Sequence, residues 1–535
     1  AELFEMIENI GSNMWEEHYA VGFNDQMNED GIRAIVGVIE TFAAHQRQSP
    51  TDDDGRIDPA PDLGDIAERL LDPMVHGFAI ASGSVDLTEE REALLNPGDD
   101  PNSDARWKQH QLAMLLTDEG HNYDSTFLAD AADVILVSNK DVNWINRDNM
   151  DAYDTDYPAM YMGPDIWEGH PELSVPQVIA MQALADNPDA SWDFTGRGDE
   201  HLEVVVRPDA YEIQDLPFEM TSNGYSYDDA ERLREMMEQA GADIVTAGFV
   251  DAVRDDPTRY TDALDRYADV VRIVGDGDIP DVTKRTVANA LGLYVNDIGE
   301  AALRQSETHY ENDDAKAAED FNRPDLVDFF EELGYDEEAA GQVGESITVW
   351  ASQEAQPFVG DTHLQQGEIN QAFRPVALVM GTIEDGFNAT DDAMQHAYDG
   401  FAAGVVNGGG IVSAVGLAAI PATGGASLLV AGAGAVAGPL LEMGGDLITS
   451  QAEGAAIDGD NFETIVLQQL REELAIAVAS DQGLPTPHPG EYASTLDAAY
   501  PETGDPFDYV DLRATDEQHD YDDDDHWSAL PDEAG

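Results

Sequence analysis

Cysteine is absent from the 535 residues, lysine occurs only at Lys108, Lys140, Lys284 and Lys316, and no stretch gathers basic side chains. The first absence excludes disulfides, thiol catalysis and cysteine-based zinc sites, while leaving the compartment open. The scarcity of positive charge restricts more sharply. With Lys+Arg 25 against Asp+Glu 110, the formal net charge is −85. Such a surface repels phosphate backbones, so nucleic acid is excluded as a partner, and anionic membranes are disfavoured at long range. Strand-like alternation is nearly missing, with one short β-type run at His201–Arg207 that also reads as an extended connection before Pro208. The first residues, Ala1 to Met6, have neither the basic nor the apolar segment of a secretory signal, so export would need another route.

What is present is an acidic but well-patterned chain. Hydrophobic residues make up 42%, enough to bury real cores, and at about 150 residues per domain the length suggests three or four domains or one extended helical assembly. The acidic residues are spread along the whole chain instead of forming a tail. That distribution reads as adaptation to high salt, with hydrated cations as the partners of the acidic surface. At molar salt the Debye length is about 3 Å, so the self-repulsion that would strain this surface in dilute buffer is screened.

Helical periodicity dominates. Ile32, Ile35, Val36, Ile39 and Phe42 form an apolar stripe over 31–42, and the same spacing predicts helices over 63–82, 106–116 and 125–137. A second helical block runs from Tyr227 to Gln305, interrupted at Asp255–Pro257 and at Gly275–Pro280, and a third covers Asp325 to Tyr398. The pattern therefore predicts an all-α, multi-helix assembly enclosing a Gly/Ala-rich apolar helical hairpin. Its expected parts are an acidic helical domain over 1–220, a second helical domain over 221–395, the hairpin over 396–447, and a C-terminal helix with an acidic Pro/Asp-rich tail over 448–535.

The hairpin is the strongest signal. Residues 400–441 contain no Asp, Glu, Lys, Arg or His, and Pro421 to Gly425 divide them into two arms. Each arm approaches the roughly 20 residues that span a membrane core. Gly404, Gly408, Gly416, Gly432, Gly434 and Gly438 stand out as candidates for close helix–helix approach, with Gly434 and Gly438 four apart on one face. Two roles compete: a glycine-zipper hairpin that inserts into a bilayer or drives self-association, and a core hairpin kept thin so that neighbouring helices pack tightly around it.

Other motifs are weak. The string from Leu428 to Ala437 fits a dinucleotide fingerprint, but Pro439 follows at once and no acidic residue closes a second strand, so no cofactor is assigned. The acidic loops Asp52–Asp58 and Asp458–Glu463 lack the alternating ligands and closing Glu of a calcium loop, so no metal site is assigned. Glu119–Asp124 is the most polar compact cluster with a histidine, and is expected to be a turn whose His and Asp cap neighbouring helices; no catalytic residue is assigned.

Several segments together resemble uncharacterised, largely helical actinobacterial proteins found beside WXG/LXG-type modules of type VII secretion. They are Tyr19–Gly31, similar to that family's acidic turn before a helix; Leu112–Leu128; Val178–Phe194; and Asp325–Phe330 followed by Leu333–Asp336. The family has no assigned catalytic residues. The resemblance implies export and a role at or beyond the cell envelope, in a halophilic version that lacks an N-terminal WXG module in this sequence. The functional expectation is a secreted or cell-surface, non-enzymatic effector or toxin-like protein whose segment 400–441 meets a membrane or another copy. The alternatives are a self-assembling extracellular or virion protein of a halophile, an enzyme whose site is not visible in linear motifs, and residence in the cytoplasm of a high-salt organism.

Overall fold

The computed structural model describes residues 10–47, 71–96, 103–138, 175–208, 227–307, 321–359, 366–390, 393–415, 462–482, 484–500 and 505–509. Among them there are helices and turns and no strand, so the protein is an all-α, multi-helix assembly. The chain divides into two compact units, Ala1–Ala252 and Val253–Gly535. The boundary expected near 220 lies outside the described residues.

The first unit contains α1 (Glu17–Arg47), α2 (Asp72–Ala81), α3 (Thr88–Leu94), α4 (Ser103–Met114), α5 (Ser125–Asp133), α6 (Pro176–Ala185), α7 (Pro188–Thr195), α8 (Asp199–Val206) and α9 (Tyr227–Val245). The acidic segment expected to be a turn is helical from Glu17, and the turn reduces to a kink at Asn28, where φ is 53°. Asn28 Oδ1 accepts from the Gly31 backbone N–H at 3.1 Å, so a side-chain cap restarts the helix at the kink. Arg33, next on that helix, donates to the carbonyls of Leu94 at 2.8 Å and Lys108 at 2.7 Å and pairs with Glu29 at 3.1 Å. A buried guanidinium thereby ties α1 to α3 and α4.

The β-type run His201–Arg207 is helical, within α8. Leu202, Val204, Val205 and Val206 are all buried, and burial on several sides at once outweighs the strand preference of three adjacent valines. The helix over 227–245, expected in the second domain, packs on α6 and α8 in the first unit. A Cβ at Gly241 would stand 2.4 Å from the Val205 carbonyl oxygen, which shows how closely α9 and α8 approach. Two helices widen into π-helical turns, Val134–Ser138 after α5 and Thr246–Asp251 after α9.

The second unit contains α10 (Tyr260–Gly275), α11 (Asp281–Glu307), α12 (Arg323–Gly334), α13 (Glu337–Ala355), α14 (Gln366–Ala389), α15 (Met394–Val415), α16 (Phe462–Asp481) and α17 (Tyr492–Ala499). The breaks expected at Asp255–Pro257 and Gly275–Pro280 both separate helices here. The core is aromatic. Tyr267 and Tyr294 stack at 4.5 Å, and the buried Tyr267 hydroxyl donates to the Val287 carbonyl at 2.9 Å. Trp350 of α13 fills the space that Gly299 of α11 leaves open, since an added Cβ there would lie 2.4 Å from the indole. Its Nε1–H donates to Asn296 Oδ1 at 3.3 Å. Asp336 starts α13 by accepting from the Ala339 N–H at 2.7 Å while Arg285 of α11 grips the same carboxylate at 2.8 Å. One acid thus fixes both the origin of α13 and its place on α11.

Candidate functional site

The uncharged run begins inside α15, and what α15 touches sets what the run can do. Three of its glycines, Gly400, Gly404 and Gly408, fall four apart on one face and meet α13. A Cβ at Gly400 would lie 2.1 Å from the Glu337 carbonyl oxygen, one at Gly404 1.7 Å from that of Gly341, and one at Gly408 2.9 Å from that of Glu345. The same offset in all three pairs makes the two helices parallel and in register. The contact is reciprocal, because a Cβ at Gly344 of α13 would stand 2.2 Å from the Phe401 carbonyl oxygen. Glycine is required here for backbone to approach backbone.

The remaining faces of α15 are ordinary. Phe401, Val405, Ala397 and Tyr398 are buried, and Phe387 of α14 meets the Tyr398 ring at 5.9 Å and the Phe401 ring at 6.1 Å. Gln395, Asp399, Ala403 and Asn407 form the exposed stripe, and Gln395 donates to Asp399 at 2.8 Å. Gly404 and Gly408 are therefore brought together, with Gly400 added, on a face already occupied by α13. Gly416, Gly432, Gly434 and Gly438, the fingerprint string over 428–437 and the acidic clusters at 52–58 and 458–461 lie outside the described residues. Among the described residues no helix is long and apolar enough to cross a membrane, and no group of three or more His, Asp or Glu is placed to hold a metal ion.

α16 closes this arrangement, packing on both α13 and α15. On its inner face lies a carboxylate, Glu473, only 3% exposed. Its Oε2 is hydrogen-bonded to the Ser352 hydroxyl of α13, and its Oε1 accepts from Gln469 Nε2 at 3.1 Å. Burial pushes this carboxyl up to about 8, against the smaller opposing pull of the Ser352 and Gln469 hydrogen bonds. The sequence carries a signal for it that is easy to pass over. Glu473 follows Val466, Gln469 and Leu470 at helical spacing, inside the apolar stripe instead of beside it.

Two histidine–carboxylate pairs in the first unit bear on the enzyme alternative. His76 Nδ1 lies 3.0 Å from Asp118 Oδ2, which also accepts from Asn122 at 2.9 Å, and the exposed Trp15 ring covers the imidazole at 3.9 Å. His201 Nε2 lies 2.6 Å from Asp133 Oδ1, whose other oxygen accepts from Ser138 at 2.6 Å. The His201 hydrogen bond holds the Asp133 carboxyl below the usual range. Both resemble parts of a triad in composition but not in order. The carboxylate stands between Ser138 and His201, so the imidazole cannot take the hydroxyl proton, and among the described residues His76 meets Asp118 and Trp15 and no nucleophile. In the 119–124 cluster, Asp124 does cap α5, accepting from Phe127 N–H at 3.0 Å. His121 does not cap; it is exposed and pairs with Glu119 at 3.3 Å. Sequence reasoning missed His76, which arrives from α2, because nothing local links it to Asp118.

Fold and site together define an all-helical protein with a glycine-mediated parallel helix pair and a carboxyl group sealed behind it. Compared with protein-family models, with curated proteins and with solved structures, the chain matches none.

Proposed function

We propose that this chain is a non-enzymatic, effector-like protein that stores the start of an uncharged apolar segment, 400–441, against its helical body and delivers that segment to a membrane. The observation that carries the reading is the docking of α15. The helix that opens the uncharged run is held on α13 by glycine against backbone, and its exposed stripe over the run carries no charge. A segment without ionisable groups enters hydrocarbon without the several kcal/mol that each buried charge costs. A helical hairpin satisfies its own backbone hydrogen bonds there. The resemblance to proteins found beside type VII secretion modules supports placing this role outside the cell or at its surface, with hydrated cations covering the acidic exterior.

Self-assembly through Gly404 and Gly408 is the second reading; like membrane delivery, it requires α15 to leave α13, whose backbone fills that face. The test uses the full chain with neutral phosphatidylcholine vesicles in molar salt. Vesicle binding and dye release by the wild type, both lost in Gly416→Glu and Gly434→Glu, are the expected result. Release that persists in both variants, or a wild type that leaves vesicles untouched, overturns the proposal.

A further inference from the structure

The hydrogen bonds around Glu473 contain a proton count. The Ser352 hydroxyl lies 2.7 Å from the Thr348 carbonyl oxygen and within hydrogen-bond reach of Glu473 Oε2. A hydroxyl has one proton, and neither a carbonyl nor a carboxylate can supply another. With Glu473 ionised, two acceptors compete for that single proton. With Glu473 as the acid, its O–H donates to Ser352 Oγ, Ser352 donates to Thr348, and Gln469 donates to the remaining carboxyl oxygen, so every contact is satisfied.

We propose that Glu473 is a proton latch of the second unit: as the neutral acid it seals α16 onto α13 and α15, and its ionisation opens this helix triplet. Opening breaks the O–H bond of the acid and passes the proton to water. The latch concerns the helices themselves and holds whether or not the apolar run enters a membrane.

Among the described residues, no facing cation offsets the charge once it forms. On α13 the nearby ionisable groups are Glu345 and Glu354, both pushed up by burial, with Glu337 and Glu338 at the far end of the helix. On α16 itself they are Glu472 and Arg471, of which Arg471 is paired with Asp505. From α17 the Tyr492 hydroxyl donates to Glu472 at 2.9 Å, and Asp497 accepts from the Asp505 N–H at 3.0 Å. α15 carries His396 and Asp399, both exposed, at the end where it meets the start of α13. Ionisation therefore adds negative charge to a surrounding that is already negative, and burial favours the proton strongly enough to hold it to about 8.

The test is hydrogen exchange of 394–415 and 462–482 in the full chain, in molar salt and without vesicles, corrected for the intrinsic pH dependence of exchange. In the wild type the opening constant of these helices should rise about tenfold per pH unit between roughly pH 5 and pH 8 and level off above. Glu473→Gln should remove that slope, because its amide donates to Ser352 and its carbonyl accepts from Gln469 as the acid does. A flat wild-type profile overturns the latch without reference to any variant, and so does a slope that survives in Glu473→Gln. Should that variant fail to fold, the infrared carbonyl stretch of a protonated carboxylic acid decides on the wild type. Present near neutral pH and gone in alkali together with the protection, it supports the latch; absent near neutral pH, it overturns it. Vesicle binding enters neither arm, so failure here is distinct from failure of the membrane reading.

Discussion

Adding one methyl group at Gly404 should have the opposite effect from adding one at Gly22. At Gly404 the new Cβ would lie 1.7 Å from the Gly341 carbonyl oxygen, where ordinary contact begins at 3.4 Å. The obstacle is backbone, not the end of a flexible side chain, so relief requires α15 to move off α13 as a rigid body. That movement also loosens the flanking contacts at Gly400 and Gly344. Overpacking of this kind costs about 1–3 kcal/mol and occasionally more, with rigid backbone at the upper end. Alanine returns about 1 kcal/mol of helix propensity. Gly404→Ala should therefore destabilise the second unit by about 2 kcal/mol. At Gly22, inside α1, nothing lies within 4 Å, so the propensity gain stands alone. Gly22→Ala should stabilise the first unit by about 0.5–1 kcal/mol.

The assay is urea unfolding in molar salt, with hydrogen exchange assigning each change to its helices. The midpoint falls for Gly404→Ala, with protection lost in α13 and α15, and rises for Gly22→Ala with protection gained in α1. A Gly404→Ala midpoint at or above that of the wild type would refute the close parallel packing of α15 on α13. The same variant should also bind neutral vesicles more readily than the wild type, because the docked helix has been loosened.

Three further outcomes follow from single side chains. For Glu473, whose carboxyl is raised from an ordinary value of about 4.3, stability is full in acid and falls as pH rises toward about 8, where the folded form also ionises. Glu473→Gln should thus stabilise the second unit by about 3–4 kcal/mol near neutral pH and by nothing in acid, read from urea midpoints at both. Burial raises the Asp336 carboxyl, but Arg285 and the Ala339 N–H together hold it below the ordinary range. Its contribution is present above the unfolded value and lost as pH falls through the folded one, so Asp336→Ala should cost about 2–3 kcal/mol at neutral pH and progressively less in strong acid. Asn187 caps α7 through the Ala190 N–H at 3.0 Å and donates to the buried carbonyls of Gly120 at 3.0 Å and Tyr123 at 3.3 Å. Both Asn187→Ala and Asn187→Asp should cost about 2–4 kcal/mol in thermal unfolding, since aspartate keeps the cap but faces two carbonyls with nothing to donate; a neutral aspartate variant would refute the donor assignment.

Much of this molecule is legible in the linear sequence because helices are local. Apolar spacing over 31–42, 125–137 and 325–333, caps such as Asp124, and breakers such as Pro257 each act within a few residues, and all of them punctuate helices in the structure. The failures are equally physical. Val204–Val206 carry strand preference that burial on several sides overrode, and the kink at Asn28 depends on a side-chain cap that a run of acidic residues conceals. The candidate site was half visible. Gly404 and Gly408 were marked by the absence of charge around them, but their partners Gly341 and Gly344 lie far back along the chain in a helix of unremarkable composition.

Sequence alone determined the all-helical class, the acidic exterior and the uncharged run, because composition and periodicity are properties of single elements. Tertiary structure decided that the glycine face of α15 lies on α13, that His76 finds Asp118, and that Glu473 is sealed behind Ser352. Each of these is a meeting of residues distant in sequence, and only the packing of whole helices fixes which backbone oxygen a missing Cβ approaches or which acid loses its water.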